Sequence, residues 1–174
     1  MSEMEKGNAT FSIQMHLAFS AEEIWPLLCP VREYDWIEVW ACDLVHSESG
    51  YNELGCVFQT EFPTEGDRET WVTSRFEPME RIEFVRINSW RGIRFVITLE
   101  PDDAGTVLTW THHVTPLSDA GVEYVKNKPE VFDTQMGMLA TMLGHYLETG
   151  QMIKGEDLGL VNRIANNVHS GKTS

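Results

Sequence analysis

The chain has 174 residues, 42% of them hydrophobic and 23% charged, which is the make-up of one globular domain burying about two-thirds of its unfolded surface. Thirteen Lys and Arg face 27 Asp and Glu, and the net charge of −14 excludes a phosphate-binding surface for nucleic acid and disfavours anionic membranes. No stretch is apolar for long enough to cross a bilayer, MSEMEKGNAT lacks an export pattern, and the dispersed Cys29, Cys42 and Cys56 suit buried thiols, so the expectation is a cytoplasmic protein without membrane insertion.

After a polar start (residues 1–9), Phe11, Ile13, Met15 and Leu17 alternate with polar or small residues, the period of a half-buried strand. Ser20-Ala21-Glu22-Glu23 is a capping box and opens a short helix carrying Ile24, Trp25, Leu27 and Leu28. Pro26 fits its first turn, Pro30 ends it, and Val31–Trp36 predicts a second short helix. Six strands follow: Trp40–Ser47, Gly55–Phe62, Arg68–Glu77, Arg81–Asn88, Ile93–Glu100 and Thr106–Thr115. Ser49-Gly50, Glu65-Gly66-Asp67 and Pro101 to Gly105 supply turns between them. Short strands with tight turns predict an antiparallel meander. The period then changes. Phe132, Met136, Leu139, Ala140, Leu143 and Leu147 recur at three and four residues, the stripe of an amphipathic helix over 130–148, with Gly150 as its C-terminal cap. Pro129 is either its first-turn residue or a kink in a longer helix starting near Ser118. Leu158, Val161, Ile164 and Val168 predict a short final helix before a loose end at His169–Ser174. No repeat or linker divides the chain, so residues 1–174 are taken as one domain, with a core of about 10–152 and an extension over 153–174.

The order of these elements resembles the START-like (SRPBCC) superfamily: strand, two short helices, six strands, long helix. The local pattern resembles its polyketide cyclase/dehydrase branch at four places. They are Phe19 through Trp25, Trp36 through Trp40, Gly55-Cys56-Val57-Phe58, and the Glu77-Pro78 corner within Phe76 through Ile82. The resemblance implies an α+β helix-grip fold: a curved antiparallel sheet of about seven strands, two short helices, and a long C-terminal helix enclosing a cavity. Such a fold hosts binders and enzymes alike.

On the last strand Leu108, Trp110, His112 and Val114 share one face, so His112 is expected to point inward and His113 outward. Imidazole can serve as a hydrogen-bonding group or as a general acid/base; equally, a buried histidine can be satisfied by its neighbours. Tyr34, Trp36 and Trp40 lie where a cavity mouth is expected, and Met136, Met138 and Met142 on the closing helix suit a pocket of adaptable shape. Asp35, Glu38 and Glu61 with Arg75 and Arg94 are candidates for a polar cluster near the pocket, while Arg86, Arg91 and Arg94 are expected on the outer face of the sheet. No metal is expected, since neighbouring His112 and His113 fall on opposite strand faces and no CxxC or HxxxH spacing occurs. Phosphate-loop and nucleophile motifs are absent, Cys56 lies in an apolar strand, and no cofactor is expected.

The favoured function is binding of an apolar or aromatic small molecule, a lipid, polyketide or similar. The pocket candidates are Trp36, Trp40, Phe58, Phe84, Phe95, Trp110, His112, Met136, Leu139 and Leu143. The alternative is a metal-free cyclase or aromatase using His112 with an acid such as Asp35. A third reading is a protein-interaction module like the Hsp90-ATPase activators, which would need an exposed apolar outer face. A homodimer is left open.

Overall fold

The computed structural model describes residues 7–159. Strand β1 (Ala9–Leu17) leads into helix α1 (Ala21–Ile24), with two single turns of tighter helix at Trp25–Leu27 and Glu33–Asp35. Six strands follow: β2 (Asp43–His46), β3 (Val57–Thr60), β4 (Glu69–Glu77), β5 (Arg81–Ile87), β6 (Arg91–Asp102) and β7 (Gly105–Pro116). Helix α2 (Asp119–Thr149) closes the fold. Strands β2 to β7 form an antiparallel meander, and β1 pairs with β7 at the far edge, giving the order β1-β7-β6-β5-β4-β3-β2. This is the α+β helix-grip arrangement expected from the alternation of periods.

The capping box at Ser20 is formed in both directions: the Glu23 amide donates to Ser20 Oγ, and Glu23 Oε2 accepts from the Ser20 amide at 2.8 Å. Helix α2 starts earlier than its apolar stripe. Ser118 caps it through the Gly121 amide, so Pro129 lies inside the helix. Gly150, at φ 68°, ends it in the left-handed conformation that glycine adopts without a Cβ clash. Gly121 is required by a different constraint: a Cβ there would run into the Trp90 carbonyl oxygen. That oxygen also accepts the Leu117 amide at 2.8 Å, so the first turn of α2 is docked directly on the β5–β6 turn.

Some strand ends differ from the sequence reading. Trp40 to Cys42 stay outside β2 because their polar groups are engaged elsewhere: the Trp40 indole donates to the Pro30 carbonyl at 2.8 Å, and the Cys42 amide donates to Tyr34 Oη at 2.9 Å. The second predicted helix shrinks to one turn. Strands β6 and β7 are longer than predicted, pairing through Arg91↔Pro116 at one end and Asp102↔Gly105 at the other. A register shift between Thr73 and Arg75 bends the β4–β5 ladder. Ile153 and Leu158 are buried in the hydrophobic core. Val161, Ile164 and Val168 of the predicted final helix lie outside the described residues.

Candidate functional site

Between the concave sheet face and α2 lies a cavity of about 570 Å³. Its largest wall is a cross-strand row of aromatic rings, built by register. Phe58 pairs with Trp71 and their rings stack at 5.1 Å; Phe84 pairs with Phe95, and Phe95 pairs with His112. Trp71 bridges the first pair to the second, 5.7 Å from Phe84. Ile97 and Trp110, also partners across β6–β7, extend the wall toward the apolar end. Trp36 and Trp40 line the side below the helical turns, with the Trp36 indole donating to the Leu27 carbonyl at 3.0 Å. Met136, Met138, Leu139 and Met142 close the cavity from α2. Of the ten pocket candidates drawn from the sequence, nine line this cavity, while Leu143 is shut into the core behind it. Tyr34 stays outside, its hydroxyl held by the Cys42 carbonyl at 3.0 Å.

The other end of the cavity is polar, and its residues come from β3, β4, β5, β6, α2 and the turn before β4. Glu69 on β4, 1% exposed, accepts from Arg86 Nη2 at 2.5 Å, from Arg91 Nη1 at 2.7 Å and from Thr60 Oγ1 at 3.1 Å. Glu65, in the turn before β4, accepts from Arg91 Nη2 at 2.8 Å, Arg86 Nη2 at 3.2 Å and the Tyr124 hydroxyl at 2.9 Å. Lys128 of α2, 2% exposed, donates to Tyr124 Oη at 2.6 Å and stands 3.8 Å from Glu65 Oε1. The Arg86 guanidinium lies 3.9 Å over the ring of Trp71, its cross-strand partner, and Trp71 in turn donates to Thr60 Oγ1. Glu65, Arg86, Lys128 and His112 all line the cavity.

Arg86 and Arg91 therefore point inward, contrary to the sequence expectation; only Arg94 of the three stands on the outer face, 3.5 Å from Glu83. The reason is strand phase. Arg86 follows Ile82 and Phe84 at intervals of two, and Arg91 precedes Ile93, so both occupy the buried face, where two carboxylates and an indole offset the loss of water. The cluster for which Asp35, Glu38, Glu61, Arg75 and Arg94 are candidates does not assemble. Asp35 pairs with Arg32 at 2.6 Å, Glu38 holds the Gly155 amide at 2.6 Å, Arg75 pairs with Glu77 at 2.7 Å, and only Glu61 touches the cavity wall.

The electrostatics divide the carboxyls. Burial works against the Glu65 carboxylate, but Arg86, Lys128 and Arg91 outweigh it and bring its pKa down to about 2. Glu69 is held below its ordinary range by the two arginines in the same way. Glu33, which also lines the cavity, is pushed up to about 8 by burial, with Arg86 the opposing influence. Burial lowers Lys128 to about 8, against the pull of Glu65. His112 is 1% exposed; burial first, and then the field of Arg86, Lys128 and Arg91, depress its pKa far below the ordinary value, so the ring is neutral. It lies edge-on to Phe95 and Phe132, at 4.4 and 5.2 Å. Neither of its ring nitrogens has a hydrogen-bond partner, nor has Trp110 Nε1, and both side chains line the cavity. Unpaired buried polar atoms are costly. Three of them, on two side chains of one cavity wall, are the feature that most directly points to a ligand.

Cys56 is fully buried with its pKa pushed up to about 11 by burial, the setting of an inert thiol. Among the described residues no group of three His, Cys, Asp or Glu could hold a metal ion, and no helix is long and apolar enough to cross a membrane. The outer face of β7 is polar, with Thr10 Oγ1 and His113 Nδ1 at 3.1 Å and the hydroxyls of Ser12 and Thr111 at 2.8 Å.

No family model matches the chain, and no curated protein matches it. Solved structures do share its fold. An uncharacterized protein from Rhizobium leguminosarum superposes with a TM-score of 0.61 at 16% identity, covering 83% of this chain and 97% of that one. Protein NE0264 from Nitrosomonas europaea gives 0.60 at 16% identity, with 81% and 95% covered. DynU16, a protein in the dynemicin biosynthetic locus, gives 0.55 at 19% identity; the match covers 82% of this chain and 48% of that one. At these identities the similarity is one of fold, a sheet gripping a long C-terminal helix.

Proposed function

We propose that the protein binds an aromatic or otherwise apolar small molecule in the chamber between the sheet and α2, as a member of the START-like superfamily in its polyketide cyclase/dehydrase-like branch. The observation that carries the proposal is the combination of an aromatic wall around about 570 Å³ with unpartnered, buried His112 and Trp110 on it. That size and lining are those of a small-molecule site, and a polar group left without a partner inside a protein is best explained by one that a ligand supplies. The fold shared with a protein of a biosynthetic locus fits a role in small-molecule chemistry. The test is titration with the neutral dye Nile red, read by dye emission and by quenching of the wall tryptophans Trp36, Trp40, Trp71 and Trp110. One saturable site is expected, with the near-UV dichroism of the native protein unchanged. A chamber closed to every apolar probe, in a protein that carries none from purification, would overturn the proposal.

A second reading, a cyclase or aromatase, is favoured by one observation. A carboxyl pushed up to about 8, Glu33, shares the chamber with a neutral imidazole, His112, so a proton donor and a proton acceptor face one space. In that reading Glu33 takes the place that the sequence suggested for Asp35. Turnover of a poly-β-ketone, abolished by both Glu33→Gln and His112→Ala, would move the proposal from binder to enzyme. The interaction-module reading is the weakest, because the outer face of β7 is hydroxyl-rich rather than apolar.

A further inference from the structure

We propose that the polar end of the chamber is an oxyanion site, and that the ligand is an aromatic molecule bearing a carboxylate or a delocalised phenolate or enolate oxygen seated against Arg86 and Lys128. The inference rests on the binding reading above and names the chemistry of the ligand's head.

Three features argue for it. The first is charge. Arg86, Arg91 and Lys128 share the buried cluster with only two carboxylates, Glu65 and Glu69, so cations exceed anions by one in a protein whose overall charge is −14. The second is the direction of the unused hydrogen bonds. Both oxygens of Glu69 are engaged by arginine, and Glu65 Oε2 accepts three bonds. On the donor side, Arg86 uses Nε and Nη2, which leaves its Nη1 hydrogens without a partner; Lys128 directs one hydrogen bond to Tyr124, and an ammonium has three hydrogens. Arg91 Nε, in the same cluster, is a buried donor with no acceptor. Against these donors the unused acceptors are fewer, one nitrogen of the neutral His112 ring and Glu65 Oε1, 3.8 Å from Lys128 Nζ. The third is shape. The polar pole opens onto the stacked rings of Phe58 and Trp71, with Phe84 beside them, so a head seated at Arg86 places its ring system against aromatic faces. A planar, bidentate acceptor suits a guanidinium, and a delocalised oxyanion has that form. A cationic or donor-only ligand would be opposed by the first two of these.

The test uses three probes of one shape, 2-naphthoate, 2-naphthamide and 2-naphthylmethylammonium, titrated by calorimetry at neutral pH into the full chain. Naphthoate should bind at least tenfold more tightly than the amide, and the ammonium probe more weakly than either. Lys128→Met should erase most of the naphthoate advantage while amide affinity changes less than twofold, and Lys128→Arg should restore it. The wild-type ratio needs no variant, so a misfolded Lys128→Met protein does not block the test. Equal binding of naphthoate and amide would overturn the oxyanion site and leave the apolar chamber standing. A naphthoate preference that survives Lys128→Met at full strength would overturn its assignment to this pole. Failure of all three probes and of Nile red would remove both readings.

Discussion

Two arginine–glutamate clusters sit on the same three strands, β4, β5 and β6, on opposite faces of the sheet. On the outer face Glu83 is flanked by Arg81 at 2.6 Å, Arg94 at 3.5 Å and Arg75 at 3.6 Å. On the inner face Glu69 is flanked by Arg86 at 2.5 Å and Arg91 at 2.7 Å. The ingredients match, and the phase of the strand decides their setting. Outside, Arg75 and Arg94 keep about half of their side-chain surface in water; inside, Arg91 keeps none. Water screens the outer pairs, so each contributes little. The inner pairs hold charges that have already lost their hydration, so each depends on its partner.

The comparison is broken most directly by removing the two central carboxylates in turn. Glu69→Gln strands Arg86 and Arg91 in the interior and should cost about 3–5 kcal/mol in urea unfolding. Glu83→Gln removes three pairs from the outer face, whose arginines stay partly in water, and should cost less, about 1 kcal/mol. Equal losses would mean that the inner cluster is hydrated and that burial does not separate the two.

Acid sharpens it next. Glu65 has a folded pKa of about 2 against an ordinary 4.5, so its contribution is full above pH 4.5 and is lost as pH falls through about 2. Its size at neutral pH is on the order of 3 kcal/mol. Stability measured across this range should fall steeply for the natural chain, whereas Glu65→Gln should start lower and decline less. A natural chain whose stability is flat from pH 5 to pH 2.5 would contradict the inner network.

How much of this was legible in the sequence follows from the same contrast. The sheet was readable because alternation in β1 and β7 and the capping box at Ser20 are local signals. The aromatic wall was readable because apolar residues on one strand phase have a single destination. The polar pole was missed because a charged residue was taken as a surface residue in spite of its phase. Yet the phase was there. Arg86 is in step with Phe84, Glu69 with Trp71, and Lys128 lies four residues before Phe132 and four after Tyr124 on the buried side of α2. Three charges on buried phases, of complementary sign and on elements that close one cavity, were a signal for an internal network. Glu33 had no such signal. Its position depends on how a single helical turn folds under the sheet, and nothing in Val31–Trp36 encodes that packing.

The smallest expected effect separates two carboxyls of the chamber itself. Glu33 and Glu65 both line it, and their pKa values move in opposite directions because Glu33 is dominated by burial while Glu65 is outweighed by cations. For Glu33 the folded value of about 8 lies above the ordinary 4.5. The folded chain then binds more protons between these values, so this group's contribution is complete below pH 4.5 and is lost as pH rises through about 8. Glu33 is only half-buried, and solvent screening holds the effect below that of Glu65. Glu33→Gln should accordingly leave stability below pH 4.5 nearly unchanged, raise it slightly at pH 9, and flatten the slope between them. Glu65→Gln should leave that slope in place and act only on the acid side. If Glu33→Gln instead flattens the acid limb, the carboxyl belongs to the cationic pole. The chamber would then have one polar environment rather than two, and the proton donor of the cyclase reading would be lost with it.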